Sequence, residues 1–182
     1  MKIVWTSLSN LLLIFGFFIV LQSLLLVYQR YNTQRLAFTR EPEQLTYTNT
    51  TQNDFPRFLQ IDSAGISVPV FSAKIENHKW DLRNDGVMYL SSSALPGNKG
   101  NSIMYGHNWN SLLGNLHKVK PTDTLVVGLD SGTQRKFIVE YVYEVSPSQV
   151  DILDQVDYER LTIYTCSGFL DSKRLVVVAR TI

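Results

Sequence analysis

The chain has 182 residues, with 17 Lys and Arg against 16 Asp and Glu and a formal net charge of +1. This length suits one globular domain with an additional segment. A nucleic-acid-binding surface needs a strong basic excess on one face, so the nearly neutral balance excludes nucleic acid as an expected partner. The single cysteine excludes an intrachain disulfide.

The amino-terminal segment is the most apolar part of the chain. Residues 8–28 are almost continuously apolar, and about 20 helical residues span the hydrocarbon core of a bilayer. A cleavable signal peptide has a shorter apolar core of roughly 7 to 15 residues, followed by a cleavage site of small residues. Here Tyr28-Gln-Arg-Tyr31 follows instead. We therefore predict an uncleaved signal anchor over residues 1–30, a transmembrane helix with its flanks.

The orientation of this anchor does not follow from charge. Positive residues usually stay on the cytoplasmic side. Lys2 precedes the helix, while three arginines follow it, namely Arg30, Arg35 and Arg40. Charge counting alone would therefore place the rest of the chain in the cytoplasm. We expect the opposite, a single-pass protein of the cell membrane with an extracytoplasmic domain, because of the chemistry described below.

The remaining chain divides into a polar linker and a β-rich domain. Residues 31–54 are rich in polar residues without apolar periodicity, which predicts a linker. From residue 55 to residue 182, short runs rich in Val, Ile, Tyr and Phe alternate with turn residues, as in β-proteins. The predicted strands are residues 58–61, 66–71, 86–90, 102–105, 124–129, 136–145, 161–165 and 175–180. A closed barrel or a sandwich would accommodate them, and closure would remove exposed edges.

Two segments interrupt the strand pattern and predict short helical turns. Residues 108–119 contain three leucines at helical spacing, and residues 147–159 carry spaced apolar residues on one face. In the second segment Asp151, Asp154 and Asp157 recur every three residues. Carboxylates at this spacing could face a cation, but the solvated side of an amphipathic turn is the favoured interpretation.

One predicted hairpin brings a thiol and a guanidinium together. If the last two strands pair antiparallel, Cys166 at the end of the first and Arg174 at the start of the second become neighbours. Arg180 lies six residues further along, roughly 20 Å at about 3.3 Å per residue. A positive charge beside a thiol favours the thiolate, and a guanidinium can hydrogen-bond the oxyanion formed in acyl transfer. The alternative is that Cys166 packs as a small buried hydrophobe.

Acyl transfer also needs a proton carrier, and the chain offers His78, His107 and His117. His107 follows the apolar run at residues 102–105, so its ring can project over a neighbouring strand. His78 and His117 lie in polar stretches and are interpreted as surface side chains. By position alone, a structural role for His107 is favoured.

Taken together, these motifs resemble those of the sortase family. Thr162-Ile-Tyr-Thr-Cys166, followed by Arg174 at the head of a Val-rich strand, resembles the family motif Thr-Leu-x-Thr-Cys with its downstream arginine. Pro96-Gly-Asn-Lys-Gly-Asn101, leading to Tyr105-Gly-His107, resembles the family's histidine strand. The resemblance covers essentially residues 55–182, and the membrane anchor fits it too.

The sequence departs from the family pattern at two positions. Ile163 stands in place of the usual Leu, which is a mild change in a buried strand. Thr122 stands in place of a glycine that the family often has in a turn, which questions the conformation of that turn rather than the catalytic site.

The resemblance implies an all-β fold, a closed eight-stranded sortase-like barrel with short helical turns after one transmembrane helix. It also implies a cysteine transpeptidase, a thiol peptidase whose Cys166 thiolate attacks the peptide bond after Thr in a Leu-Pro-x-Thr-Gly-like sorting signal. A thioacyl enzyme would follow. His107 would protonate the leaving amine and deprotonate the incoming amine, and Arg174 would stabilise the oxyanion. Thr165 would contribute to the substrate groove.

The expected partners are the membrane, a sorting-signal peptide of a surface or pilin protein, and an amine acceptor such as a peptidoglycan precursor or a pilin lysine. No metal or other cofactor is expected, and calcium dependence and sortase class stay open. One alternative is a membrane-tethered, non-catalytic β-domain for binding or adhesion. Another is a cell-wall transpeptidase of the L,D-type, whose cysteine usually follows Ser-His-Gly, whereas Tyr164-Thr165 precede Cys166 here.

Overall fold

The protein is described from a computed structural model, which covers residues 2–31, 36–39, 54–76 and 79–182. It forms two compact units, Met1–Arg35 and Leu36–Ile182. The first unit is the helix α1 (Lys2–Tyr31). Within it, Asn10–Tyr28 is long and apolar enough to cross a bilayer, and its side chains are exposed. This helix is compatible with the predicted membrane anchor.

The second unit is built on a closed β-barrel. Its strands are β1 (Pro56–Ile61), β2 (Ile66–Ala73), β5 (Val87–Leu90), β6 (Gly100–Tyr105), β7 (Thr124–Leu129), β8 (Gln134–Val145), β9 (Glu159–Ser167) and β10 (Lys173–Thr181). They follow the order β1-β2-β5-β6-β9-β10-β8-β7, and β7 pairs with β1 to close the barrel. Neighbours are antiparallel except β2 with β5 and β6 with β9. The predicted eight-stranded closed barrel is confirmed, and each predicted strand overlaps one barrel strand.

A small two-stranded sheet, β3 (Ile75–Glu76) with β4 (Lys79–Trp80), was not predicted. Each of its strands has two residues, which is too short for an alternating pattern to be recognised. Its importance lies in Trp80, which is buried and reaches the outer face of the barrel near the predicted site.

Alternation along the strands creates two apolar clusters. In β9, Leu161 and Ile163 belong to the cluster that fills the barrel interior. Tyr164 and Cys166 belong to a second cluster on the outer face. Successive side chains of a strand point to opposite faces, so one strand serves both clusters. The predicted nucleophile therefore lies on the outside of the barrel wall, under a second layer of chain.

Short helical turns occur inside both segments that predicted them. A 3₁₀ turn at Gly114–Lys118 lies within residues 108–119, and its Leu116 packs into the barrel interior. Another at Val150–Leu153 lies within residues 147–159, and its buried residues pack on the outer cluster. The second turn belongs to the β8–β9 connection, which covers part of the outer face.

A described part of the predicted linker at residues 31–54 packs against the barrel. Leu36 and Phe38 are only 2% and 5% exposed and belong to the outer cluster. The main-chain N–H of Thr39 donates to the carbonyl of Pro147, at 3.0 Å. Residues 36–39 therefore pack on the barrel, and residues 32–35 and 40–53 lie outside the described part of the chain.

The turn in which Thr122 replaces a glycine keeps a conformation that favours glycine. Thr122 has a φ of 77°, in the left-handed region that glycine enters without steric cost. Its N–H donates to the carbonyl of Val139, at 2.8 Å, and the next N–H, that of Asp123, donates to Lys120. These bonds hold a β-branched residue in a conformation that it rarely adopts.

Candidate active site

Cys166 and Arg174 face each other across strands β9 and β10. The register pairs Arg174 with Cys166 and Leu175 with Thr165. Directly opposed residues of an antiparallel pair place their side chains on the same face, a few ångströms apart. Both side chains are buried, with 5% of Cys166 and 3% of Arg174 exposed. The pairing predicted from the hairpin is confirmed.

His107 follows strand β6 and lies at the same end of the strands as Cys166 and Arg174. This strand runs parallel to β9, and Tyr105 pairs with Tyr164. Two residues further along both strands, the same register sets His107 beside Cys166. The N–H of Gly106 continues the ladder by donating to the carbonyl of Tyr164, at 3.3 Å. The structure therefore brings the thiol, the imidazole and the guanidinium to one end of three neighbouring strands.

The imidazole of His107 stacks on the indole of Trp109. The two ring centroids are 4.2 Å apart and the planes differ by 4°. The chain folds back tightly here, because the N–H groups of Leu112 and Gly114 both donate to the carbonyl of Trp109. A β-carbon at Gly114 would lie 2.7 Å from that carbonyl oxygen, so the turn requires glycine. Sequence analysis missed Trp109, although an aromatic residue two positions after the histidine was a visible signal.

The two threonines of the Thr-x-x-Thr-Cys motif bind opposite ends of β6. The hydroxyl of Thr165 donates to the carbonyl of Gly106, at 2.8 Å. This bond ties β9 to the residue just before His107. A hydroxyl that donates one bond can still accept another, so the predicted contact of Thr165 with substrate stays a prediction. The hydroxyl of Thr162 donates to the side chain of Asn101, at 2.7 Å.

Asn101 connects the barrel to the β8–β9 connection. It is fully buried, and its amide donates to the carbonyls of Ile152 and Asp154, at 3.3 and 3.2 Å. Its main-chain N–H donates to the side-chain oxygen of Gln155, at 2.7 Å. Because buried polar groups are costly to leave unpaired, this cluster holds residues 152–155 in place beside the outer face.

Arg174 is held by main-chain carbonyls. Its Nη1 donates to the carbonyls of Asp171 and Lys173, both at 2.9 Å, and its Nη2 donates to the carbonyl of Ala37, at 2.8 Å. Its Nε is buried and has no hydrogen-bond partner among the described residues. The guanidinium is therefore fixed in orientation, and its Nε–H is left for another acceptor, beside a second N–H on Nη2.

Burial controls the protonation of the histidine. Desolvation lowers the pKa of His107, and the carboxylate of Asp171 acts in the opposite direction with a smaller effect. An unperturbed histidine, with a pKa of about 6.5, is roughly 24% protonated at pH 7. The imidazolium fraction of His107 at pH 7 is therefore lower than that, and the neutral imidazole is the main form.

Aromatic rings form the outer surface beside the thiol. Tyr105 and Tyr164 stack with centroids 5.5 Å apart, and Trp80 meets Tyr105 edge-on at 5.2 Å. Phe38 meets Tyr164 edge-on at 5.0 Å. Edge-to-face and offset pairs add to the stabilisation from burial. Phe38 thus docks the segment at residues 36–39 on the surface that leads to Cys166.

Replacement of Phe38 by alanine is expected to destabilise the protein by about 1–3 kcal/mol. A Phe→Ala change in a core costs about 3–5 kcal/mol, but residues 36–39 can detach locally, which limits the loss to their docking free energy. The thermal midpoint of the chain in detergent micelles should fall by about 2–4 °C per kcal/mol. Phe169→Ala is the control, because Phe169 is 85% exposed. Equal midpoints for both variants would contradict a stabilising role for Phe38.

Other residues singled out by the sequence lie away from this centre. His117 is exposed and its Nδ1 bonds the carbonyl of Gly114, at 2.8 Å, as expected of a surface histidine; His78 lies outside the described residues. Asp151 and Asp157 are exposed and Asp154 is half-buried. Within the described ranges, no three His, Cys, Asp or Glu side chains cluster. The solvated-turn interpretation fits Asp151 and Asp157, whereas one carboxylate oxygen of Asp154 is buried and has no hydrogen-bond partner among the described residues.

A buried thiol with an opposed guanidinium and an imidazole one strand away defines a site for cysteine-dependent acyl transfer. The model of the Sortase domain family matches residues 59–182. The chain belongs to the sortase family, and it is therefore a cysteine transpeptidase. A search of curated protein sequences gives no match.

Several solved structures share the fold. The crystal structure of sortase C-1 from Actinomyces oris has 26% sequence identity and a TM-score of 0.60, over 69% of this chain and 72% of that one. Sortase C1 from Streptococcus suis has 21% identity and a TM-score of 0.60, over 70% and 72%. The sortase D5 transpeptidase of Clostridium perfringens has 20% identity and a TM-score of 0.60, over 70% and 79%. All three are sortases by description, which agrees with the family match.

Proposed function

We propose that this sortase cleaves a Leu-Pro-x-Thr-Gly-like sorting signal through a thioacyl intermediate on Cys166 and joins the product to an amine at the cell surface. The observation that carries the proposal is the cross-strand pairing of Cys166 with Arg174 at the end of an apolar, aromatic surface. A nucleophile with an adjacent cation suits attack on a carbonyl carbon. The aromatic surface suits an extended peptide with apolar residues.

In the first half-reaction the Cys166 thiolate attacks the carbonyl carbon of the Thr residue. The tetrahedral oxyanion forms within reach of the guanidinium, whose unpartnered Nε–H is the natural donor. As the C–N bond breaks, the His107 imidazolium gives its proton to the leaving amine. The products are a thioester on Cys166, a free amine and a neutral imidazole.

In the second half-reaction an amine attacks the thioester. The neutral imidazole of His107 takes the proton of the incoming amine, a new amide bond forms, and the thiolate leaves. With water as acceptor the same intermediate hydrolyses, so a slow peptidase activity accompanies transfer. Thiol, imidazole and guanidinium supply the nucleophile, the proton carrier and the oxyanion donor, so the proposed mechanism requires no cofactor. Comparing rates with a chelator and with added calcium tests calcium dependence.

The contact between Arg174 and the carbonyl of Ala37 supports peptide binding at this place. A guanidinium that donates to a main-chain carbonyl of residues 36–39 can donate to a carbonyl of a peptide in the same way. The neighbouring Phe38 covers Tyr164. A peptide that docks against Tyr164 must therefore displace Phe38 and use the apolar surface that it leaves.

The proposed location of the barrel is outside the cytoplasm, with the helix at Asn10–Tyr28, the one candidate span among the described residues, crossing the membrane. The support is chemical, since sorting signals and their amine acceptors meet at the cell surface. A carboxy-terminal tag should be digested by protease added to intact cells. Digestion only after lysis would contradict this orientation.

Incubation with a pool of Leu-Pro-x-Thr-Gly-like peptides should give products joined after Thr. Oligoglycine and a lysine-containing pilin-like peptide serve as acceptors, and mass spectrometry identifies both the products and the thioacyl adduct on Cys166. Cys166→Ala removes the nucleophile and should abolish both.

The same experiment separates the enzyme from a tethered binding domain. A reactive Cys166 is alkylated by iodoacetamide in the folded state, whereas a structural thiol resists alkylation. Absence of product with every peptide, together with a thiol that resists alkylation, would overturn the proposed function.

A further inference from the structure

The connection between β9 and β10 lies directly against the site and has an unusual backbone. Lys173 pairs with Ser167, which leaves residues 168–172 to close the hairpin. Leu170 and Asp171 have φ values of 51° and 58°, in the left-handed region that asparagine and aspartate tolerate better than most residues. Two consecutive left-handed residues next to a catalytic pair indicate a conformation maintained by its contacts.

Asp171 contacts one member of the site through its main chain. Its carbonyl accepts a hydrogen bond from Nη1 of Arg174, at 2.9 Å. The loop supports this position, since the N–H of Asp171 donates to the carbonyl of Gly168, at 3.3 Å, and the N–H of Ser172 donates to Phe169. These bonds hold the backbone of Asp171 against the guanidinium of Arg174.

The carboxylate of Asp171 acts on a second member of the site. It raises the pKa of His107, against the larger, opposite effect of burial. Among the described residues, the strand registers bring Cys166 of β9 and Arg174 of β10 to the same end as His107, and Asp171 is the charged group that acts on its pKa. Residues 108–113, which follow the histidine, carry no ionisable side chain. Asp171 is thus the one carboxylate among the causes of the shift, and it opposes the effect of burial.

The geometry points to Asp171 as a positioning residue of the active site, whose carbonyl orients Arg174 and whose carboxylate supports the protonated form of His107. This inference rests on the proposed function for the role of His107 in proton transfer. One loop residue would thereby align two of the three groups that act on the substrate. Its carbonyl contacts Arg174, and its carboxylate interacts electrostatically with His107.

Asp171→Asn is the informative substitution. Asparagine has the same shape, keeps the main-chain carbonyl that holds Arg174, and tolerates left-handed φ values, while it removes the negative charge. Asp171→Glu keeps the charge. Asp157→Asn is the matched control, because Asp157 is exposed and precedes β9 at its far end, roughly 20 Å or more from Cys166.

The first measurement is the titration of His107 by NMR in the full chain in detergent micelles, with histidine labelled at Cε1 and the Cys166→Ala change in every sample. His107→Gln assigns the resonance. The pKa of His107 should be lower with Asp171→Asn than with Asp171, should return toward its original value with Asp171→Glu, and should be unchanged with Asp157→Asn. Equal His107 titrations with and without the Asp171→Asn change would overturn the inference.

The second measurement is the pH dependence of kcat/KM with Cys166 restored. With a lower histidine pKa, the thiolate–imidazolium form is less populated at neutral pH. Its population changes tenfold per unit of histidine pKa, so the plateau of kcat/KM should fall about 3- to 10-fold. Its acid limb should move to lower pH, so that both enzymes have equal rates at low pH. A uniform loss at every pH would contradict the inference and indicate a purely structural loop.

The two measurements separate failure of the inference from failure of the proposed function. If no peptide is turned over by the unsubstituted enzyme, the proposed function fails, and the NMR titration still decides whether Asp171 acts on His107. If peptides are turned over and the titration does not respond to Asp171, only the inference fails.

Discussion

Replacement of His107 by alanine should lower kcat/KM about 10²- to 10⁴-fold, the range typical of a lost general acid–base group. The ring lies at the level of Cys166 by the β6–β9 register and is held by its stack on Trp109. Without it, the leaving amine would have to depart unprotonated or take its proton from water. His117→Ala is the control, because that histidine is exposed and contacts the carbonyl of Gly114.

The pH profile should identify His107 more specifically than the rate. When the histidine pKa lies below the thiol pKa, the reactive thiolate–imidazolium form has a constant small fraction between the two values. Below the histidine pKa the thiol–imidazolium form dominates, and the rate falls tenfold per pH unit. Burial lowers the pKa of His107, so the acid limb should lie below the ordinary histidine value of about 6.5.

In His107→Ala the break of the acid limb at the histidine pKa should be lost, and the limb should extend up to the thiol pKa. The residual rate would then follow the thiolate alone and rise with pH until the thiol is ionised. A profile of the unsubstituted enzyme that is flat from pH 5 to pH 9, or an acid limb that persists at the same pH in His107→Ala, would show that another group carries the proton.

The barrel and the relation between Cys166 and Arg174 were predictable because their signals are local. Strand alternation and turn residues marked each barrel strand. A hairpin joins the last two strands, so antiparallel pairing alone placed Arg174 opposite Cys166, as the register confirms. The catalytic roles of these residues and of His107 stay predictions, and the experiments above test them.

The contacts that hold the site together were not predictable from local pattern. Nη2 of Arg174 donates to the carbonyl of Ala37, 137 positions away in the sequence. Every residue has a main-chain carbonyl, so the residue types do not indicate this contact. Leu36 and Phe38 were assigned to the polar linker, because two apolar residues in a polar stretch show no periodicity that predicts burial. The left-handed pair Leu170 and Asp171 lacks the glycine that usually marks such a turn.

These missed contacts change where a shortened chain should begin. A domain that starts at residue 55, the predicted boundary, would lose Leu36 and Phe38 from the outer cluster. It would also free Nη2 of Arg174 from the carbonyl of Ala37. A chain that starts before Leu36 keeps both contacts and resembles the compact unit Leu36–Ile182. In a chain that starts at residue 55, the aromatic surface beside Cys166 would be uncovered, and the measured activity would be that of this altered site.

Arg174→Lys should lower kcat about 10²- to 10³-fold, as does loss of an oxyanion donor in other acyl-transfer enzymes. The guanidinium uses two of its nitrogens on three main-chain carbonyls and keeps its buried Nε–H unpartnered among the described residues. A lysine ammonium keeps the charge but concentrates its donors on one atom, so it cannot hold the carbonyls of Asp171 and Ala37 and also face an oxyanion.

The control for Arg174 comes from the same strand. Arg180 is 57% exposed at its side chain and pairs with Glu140, at 3.0 Å, and exposed ion pairs contribute little. Arg180→Lys should therefore leave kcat and KM unchanged, whereas Arg174→Lys should act mainly on kcat, because an oxyanion exists only in the transition state and the tetrahedral intermediate. A large loss of kcat with Arg180→Lys and none with Arg174→Lys would show that Arg180, and not Arg174, is the oxyanion donor.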